Sequence, residues 1–245
     1  MTFPAPQPPR LSIVIPAYNE EFRLGPTLRE YVDHFRVSHS GGFEVLVVLN
    51  GCRDNTRVVA DQVAAGAPEV RVLEFVKPLG KGGAVWEGFA ASRGALLAFA
   101  DADNMVAAPE TAKLIDALGE HDIAIGDRSR GSTDDGRPPL LRRLISALSH
   151  QWGKRFLGLP YRDTQCGAKA LTSAAWRDLA PRVRERGWAF DLDLLAHAHR
   201  RGMRVAETPV RWRHVAQWSK VRPWIDAPRT LIAAFGIRRR SRRDS

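Results

Sequence analysis

Cysteine is scarce in this chain: its 245 residues hold two, Cys52 and Cys166. Thiols so few and so far apart exclude a disulfide framework and a thiolate-ligated metal cluster, which makes a reducing cytoplasm the expected setting. Long apolar runs are missing as well. No stretch approaches the roughly 18 consecutive apolar residues of a spanning helix, so no transmembrane segment is expected. The opening MTFPAPQPPRLSIVIP places its apolar run after a proline cluster and lacks the basic start of a signal peptide. Neither GxxxxGK[ST] nor the dinucleotide fingerprint GxGxxG occurs. His197 and His199 are spaced i, i+2 and point to different faces of a helix, which excludes a zinc pair there.

Acidic residues are outnumbered. Lysine and arginine total 37 against 27 aspartates and glutamates, a net charge of +10, and five arginines fall in residues 238–245. Such an excess calls for an anionic partner: nucleic acid, a phosphorylated small molecule or a membrane surface. No recognition module for nucleic acid accompanies the charge, which disfavours that partner. Hydrophobic residues make up 44% of the chain, ample for one sizeable core.

Apolar runs and polar turns alternate. Residues 1–9 read as a proline-rich, disordered lead. LSIVIP (11–16), FEVLVVLN (43–50), VRVLEFV (70–76), ALLAFA (95–100) and DIAIGD (122–127) read as strands. Helical periodicity over 27–35, 56–65, 84–92 and 109–118 fills the gaps. This βαβ spacing predicts an α/β fold with a Rossmann-like, mostly parallel sheet flanked by helices. The second half is less regular: a loop at 131–139, an amphipathic helix over 140–157, a polar, turn-rich segment at 161–172, and helices at 173–179 and within 186–202. VAETPVRWRH (205–214) reads as a strand, and Pro209 puts it at an edge.

Chemistry in a parallel sheet gathers beyond the C-terminal strand ends. The turns YNEE, NGCRDN and DADN all fall on that edge. A buried strand has no use for unpaired charge, so Asp101 and Asp103 belong just past the fourth strand. Their i, i+2 spacing suits a hard divalent cation on a diphosphate, and equally an Asx turn capping the next helix. GKGGAV (80–85) offers backbone N–H groups and Lys81 to an anion, or is a plain strand-to-helix turn. Asn19, Glu20 and Glu21 either cap a helix or hold a ribose or base. Asp191 and Asp193 favour the helix dipole where they stand, and either has the chemistry of a general base. In Trp218–Arg243, apolar residues interleaved with arginines fit an interfacial amphipathic helix, as well as a solvated tail.

Taken together, IPAYNEE (15–21), NGCRDNT (50–56), GKGGAVWEG (80–88), FADADN (99–104), DTQCGAKALT (163–172), WAFDLDLL (188–195), ETPVRWRH (207–214) and SKVRP (219–223) resemble a family 2 glycosyltransferase of the GT-A fold. The resemblance is nearest to the polyprenyl- and dolichyl-phosphate glucosyl- and mannosyltransferases. It implies a nucleotide-sugar donor bound by Pro16, Ala17, Tyr18, Glu20, Asn50, Asp54, Lys81, Asp101, Ala102 and Asp103. It further implies Mg²⁺ or Mn²⁺ on Asp101 and Asp103, with inversion at the sugar. Asp191 is the implied catalytic base, or only an orienting group if the acceptor is already anionic. Arg128, Arg130, Gln165 and Lys169 are the implied acceptor-side residues.

Two motifs depart from the family pattern. Leu49 and Asn50 stand where two carboxylates are usual, and Ala168 replaces an aromatic. Both changes bear on donor and acceptor choice. The expected organisation is a single GT-A catalytic domain over 10–237, followed by a basic tail at 238–245. Within the domain, 10–127 forms the nucleotide-sugar half, 128–223 the acceptor half and 224–237 an amphipathic basic segment. The expected activity is hexose transfer from UDP-glucose or GDP-mannose to a polyprenyl phosphate, by a cytoplasmic enzyme peripheral on an anionic membrane face. The alternatives are a glycosyltransferase with a small-molecule or glycan acceptor, and a non-catalytic protein that binds nucleotide sugars or polyanions.

Overall fold

The apolar runs become strands because they have two faces to bury. In the computed structural model, which describes residues 9–39, 42–131, 151–152, 154–213 and 223–242, all eight residues of FEVLVVLN are buried. The elements run β1 (Leu11–Ala17), α1 (Leu24–Ser38), β2 (Phe43–Asn50), α2 (Thr56–Gly66), β3 (Val70–Phe75), α3 (Lys81–Ala91), β4 (Leu96–Ala100), α4 (Ala108–Asp116), β5 (Ile123–Asp127), β6 (Ala168–Thr172), α5 (Ser173–Leu179), α6 (Phe190–Arg200), β7 (Val205–Pro209) and α7 (Pro223–Ser241). Side chains alternate across the sheet. Ile13, Ile15, Val45 and Val47 pack with Leu28, Tyr31 and Phe35 of α1 and Leu114 of α4. Val14, Leu46 and Val48 pack on the other face with Val85 and Phe89 of α3, Trp176 of α5 and Leu192 and Leu195 of α6. Helix α3 approaches the sheet closely at Gly88, where an added Cβ would stand 2.3 Å from Val14.

Strand order is β3-β2-β1-β4-β6-β5-β7. The chain leaves β1 in one direction for β2 and β3, then returns to place β4 on β1's other side. The loops after β1 and β4 therefore diverge, opening a crevice at the C-terminal edge between them. β1, β2, β3 and β4 pair in parallel.

One segment differs from expectation. Residues 161–172, read as turn-rich throughout, end in β6, which lies antiparallel between β4 and β5 (Ala100 opposite Ala168, Leu96 opposite Thr172). AKALT is short and carries a lysine, so it lacks an apolar strand pattern, yet four of its five residues are buried. The antiparallel direction makes β6 begin at the edge where β4 ends, which brings Gln165–Gly167 to Asp101. Thr172 then stops the strand and caps α5, its hydroxyl accepting the Ala175 N–H at 3.1 Å. β7 lies at the sheet edge and stops at Pro209.

The expected lead (except Pro9), the 131–139 loop beyond Gly131 and most of the 140–157 helix lie outside the described residues; 154–157 are helical. Helix α7 continues through Arg238–Arg240, so the basic run begins inside it. No helix among the described residues is long and apolar enough to cross a membrane.

The opposite, N-terminal edge is tied by charge. Glu44 is 2% exposed. It accepts from Ser12 Oγ at 2.7 Å, Arg71 Nη1 at 2.6 Å, Arg93 N at 2.8 Å and Arg93 Nη2 at 2.8 Å, joining β1, β2, β3 and the turn before β4. Burial pushes its pKa up, but these donors outweigh burial and hold the carboxyl below its ordinary value. Its contribution is therefore complete above the ordinary carboxylate range and is lost as pH falls through the depressed value. Glu44→Gln is expected to cost roughly 2 kcal/mol at neutral pH and to flatten the acid limb of stability, both read from urea unfolding across pH.

Candidate active site

Three loops close the first side of the crevice. The turn after β1 places Asn19 at φ 52°, and its side-chain oxygen accepts the Arg53 N–H at 2.8 Å. The Glu20 N–H donates to Thr56 Oγ1 at 2.7 Å, while the Glu20 carboxylate grips Arg23 at 2.7 and 2.8 Å. Asp54 accepts from the N–H groups of Thr56 (3.1 Å) and Glu21 (3.3 Å). Burial raises the Asp54 pKa and these bonds, with that of the Thr56 hydroxyl, lower it further than burial lifts it. Asn50 holds the following loop, accepting the Leu79 N–H at 2.6 Å. Leu49 is fully buried and packs with the α1-side core. Of the remaining residues expected to bind the donor, Tyr18 is 41% exposed at the crevice edge, Ala17 and Ala102 are buried, and Pro16 is half-buried.

The floor of the crevice is acidic. Asp101 stands directly after β4, its N–H bonded to Gly167 O at 3.0 Å. Lys81, the first residue of α3, reaches across to it with Nζ at 2.8 Å from Oδ1 and 3.0 Å from Oδ2. The ammonium also lies 5.7 Å from the Phe99 ring centre and 5.6 Å from that of Trp188. Burial alone would lower the Lys81 pKa, but Asp101, Asp191 and Asp103 outweigh it and keep the group charged. Asp103 has weaker company: the Met105 N–H at 3.2 Å and Arg23 Nη1 at 4.0 Å. Burial, with Asp101 nearby, pushes its pKa up to about 6. Gly80 shapes this corner, since at φ 81° its Cβ would stand 2.4 Å from Arg186 O.

Asp191 and Lys169 form a buried pair beside this floor. Lys169 Nζ donates to Asp191 Oδ1 at 2.5 Å and to Cys166 O at 3.0 Å, and rests 5.4 Å from the centre of the same Phe99 ring. Lys169 is 0% and Asp191 3% exposed. Lys169, expected on the acceptor side, has its ammonium enclosed and matched, and its contact is with Asp191. Arg128 and Arg130 are also matched. Arg128 forks onto Asp163 at 2.6 and 2.9 Å and covers the Trp212 ring. Arg130 bonds Asp127 at 2.7 Å. Gln165 is half-buried, its N–H on Asp163 Oδ1 at 3.2 Å. Burial raises the Cys166 thiol's pKa, so it is no nucleophile at neutral pH.

Asp193 is not a second base candidate. Its carboxylate, fully buried, accepts the N–H groups of Arg184 and Glu185 at 2.7 and 2.9 Å and meets Arg240 at 3.3 Å. It fastens the segment before α6. Sequence reasoning missed Arg23 and Trp188, which stand over the acidic floor. The signals were in view, in the segment following PAYNEE and at the head of WAFDLDLL, but which helix end met which strand was not.

The donor set fits a hard divalent ion. Two carboxylate side chains meet with incomplete compensation at Asp103, and a lysine ammonium already occupies a cation's place beside Asp101. Among the described residues no group of three or more His, Cys, Asp or Glu side chains could hold a metal. Two carboxylates with ligand phosphates and water completing the shell is the usual Mg²⁺ or Mn²⁺ arrangement.

Both the sequence and the shape have known relatives. The family described as Glycosyl transferase family 2 matches residues 12–177. The dolichyl-phosphate beta-glucosyltransferase of Drosophila melanogaster is 36% identical over 239 residues, covering 91% of this chain and 73% of its own. ALG5C of Trichomonas vaginalis, of the same description, is 34% identical over 228 residues, covering 83% of this chain and 64% of its own. Glycosyltransferase AglD of Haloferax volcanii is 35% identical over 205 residues, 82% of this chain but 33% of its own. The chain thus spans between one third and three quarters of these relatives. Glucosyl-3-phosphoglycerate synthase from Mycobacterium tuberculosis, solved with UDP, superposes with a TM-score of 0.67 at 22% identity over 94% of this chain and 80% of its own. That likeness is one of fold, the GT-A fold. The chain belongs to glycosyl transferase family 2.

Removing one member of the Lys169–Asp191 pair strands the other in a dry site. Lys169→Met is expected to cost about 3–5 kcal/mol in urea unfolding. The double variant Lys169→Met/Asp191→Leu recovers a large part of that loss, whereas independent residues would give additive losses.

Proposed function

We propose that this member of glycosyl transferase family 2 is a metal-dependent, inverting hexosyltransferase that moves glucose from UDP-glucose to a polyprenyl phosphate. The observation that carries the reading is the acidic floor: Asp101 and Asp103 at the switch point, faced by Lys81. The acceptor and sugar follow the dolichyl-phosphate beta-glucosyltransferases of Drosophila melanogaster and Trichomonas vaginalis.

Asp101 and Asp103 would hold a divalent ion, which would supply Lewis-acid charge toward the donor's diphosphate. Lys81 adds a fixed positive charge beside it, so the departing nucleoside diphosphate forms against charge already in place. Glu20, Asn50 and Asp54 act on the donor through the loops they brace, leaving backbone and Tyr18 to line the nucleoside side. A phosphate acceptor is already anionic and needs little help from a base. Asp191, buried against Lys169, fixes the head of α6 as the wall that orients the acceptor, and attack on the sugar carbon runs opposite the leaving diphosphate. An α-linked donor then yields a β-linked product. Arg128, Arg130 and Gln165 flank the acceptor side, each arginine matched by an aspartate and so offering direction more than free charge.

The test is a thermal-shift and turnover panel with UDP-glucose and GDP-mannose, each with Mn²⁺ and with EDTA, using a polyprenyl phosphate and 3-phosphoglycerate as acceptors. UDP-glucose with Mn²⁺ is expected to raise Tm, and EDTA to abolish the rise. Turnover is expected with the lipid phosphate alone. Asp103→Ala is expected to lower kcat by roughly a hundredfold or more while the apo-protein melts near the parent's Tm. Metal-independent turnover, or preference for GDP-mannose or the soluble acceptor, would each refute the corresponding part.

A further inference from the structure

Helix α7 keeps different company on its two faces. Ala234, Ile237 and Ser241 are buried, and Ile237 packs in the same core as Leu192 and Leu195 of α6. Arg240 clamps that face down, bonding Glu185 at 2.8 Å and Asp193 at 3.3 Å. The other face runs at alternating three- and four-residue spacing through Ile232, Phe235, Arg239 and Arg242, all exposed. Ile232 is 72% and Phe235 59% exposed. Of the apolar residues expected to form an interfacial stripe, Ile237 is thus on the core side, and Ile232 and Phe235 are outside.

The exposed face extends onto a second stretch of chain. Phe235 meets Phe156 at 4.6 Å and Trp152 at 5.8 Å between ring centres, and Trp152 stacks on Phe156 at 4.7 Å and 8°. Arg238 lies 4.6 Å over the Phe156 ring, Trp152 is 37% exposed, and Arg155 is exposed beside it. Residues 228–242 contain five arginines and no acidic residue. An aromatic cluster rimmed by arginines that meet no carboxylate among the described residues has the make-up of a helix that lies in a lipid interface. A second copy of the chain would set arginines against arginines, so the charge favours an anionic partner.

We propose that this face, Ile232, Phe235, Trp152 and Phe156 with Arg155, Arg238, Arg239 and Arg242, docks on an anionic lipid bilayer. The inference deepens the proposed function, in which a lipid phosphate would be met at a bilayer surface. The docking helix is fastened through Arg240 and Asp193 to α6, whose first turn carries Asp191.

The test is sedimentation of the full chain with phosphatidylcholine vesicles, with and without phosphatidylglycerol, at low and high salt. Binding is expected only with phosphatidylglycerol and to fall with salt. Ile232→Ser/Phe235→Ser is expected to weaken it roughly tenfold or more, and Arg239→Gln and Arg242→Gln roughly fivefold each. All variants are expected to keep the parent's unfolding curve and its turnover on a short-chain, water-soluble polyprenyl phosphate, which separates docking from chemistry. Vesicle binding that is absent, or equal in parent and variants, overturns the proposal. So does a concentration-dependent dimer, seen in sedimentation velocity, that these substitutions dissolve. Failed turnover with intact, variant-sensitive vesicle binding would instead strike the functional reading and leave the docking face standing.

Discussion

Four carboxylates, Asp101, Asp103, Asp163 and Asp191, converge where strands of one sheet end, and a carboxylate withdrawn from water must be matched by positive charge. The rest of the crevice is arranged by that requirement. Lys81 begins α3 where it can reach Asp101. Arg128 turns back from the end of β5 onto Asp163. Lys169, although charged, sits fully buried in a strand because Asp191 lies 2.5 Å away. Each pair links two segments distant in sequence, so electrostatic matching also fixes the geometry of the edge.

The matching is uneven. Lys169–Asp191 and Arg128–Asp163 are close, hydrogen-bonded pairs that give their side of the crevice its rigidity. Asp103 has its arginine at 4.0 Å and a pKa pushed up to about 6. The acidic floor is therefore short of positive charge at one place, between two carboxylates with hard oxygen donors. At the other end of the sheet, Glu44 is satisfied on every side. One edge thus holds charge in a closed network, and the other holds it open toward a crevice.

Asp193 joins this edge to the outer surface. It stands two residues beyond Asp191 on α6, and its partners include the backbone before that helix, His197 one turn on, and Arg240 of α7. The aromatic and basic face of α7 consequently belongs to the same rigid framework as the candidate catalytic carboxylate. That connection spans 47 residues of sequence, and no local pattern announces it.

The apolar runs, their βαβ spacing and the polar turns after strands one, two and four were legible in the sequence because burial on both faces of a parallel sheet leaves continuous apolar words, and strand ends leave polar ones. Those words determined the fold class, the edge that holds the candidate site and the family resemblance. AKALT was not legible as a strand, nor Lys169 as the buried partner of Asp191, because a lysine reads as exposed until the carboxylate that neutralises it is known. The face of α7 that turns outward was equally hidden: apolar residues lie on both sides, and packing against α6 chose between them. Local sequence fixes which segments must leave water. Only the tertiary structure decides which charges meet when they do, since matching a buried charge depends on a partner brought from elsewhere in the chain.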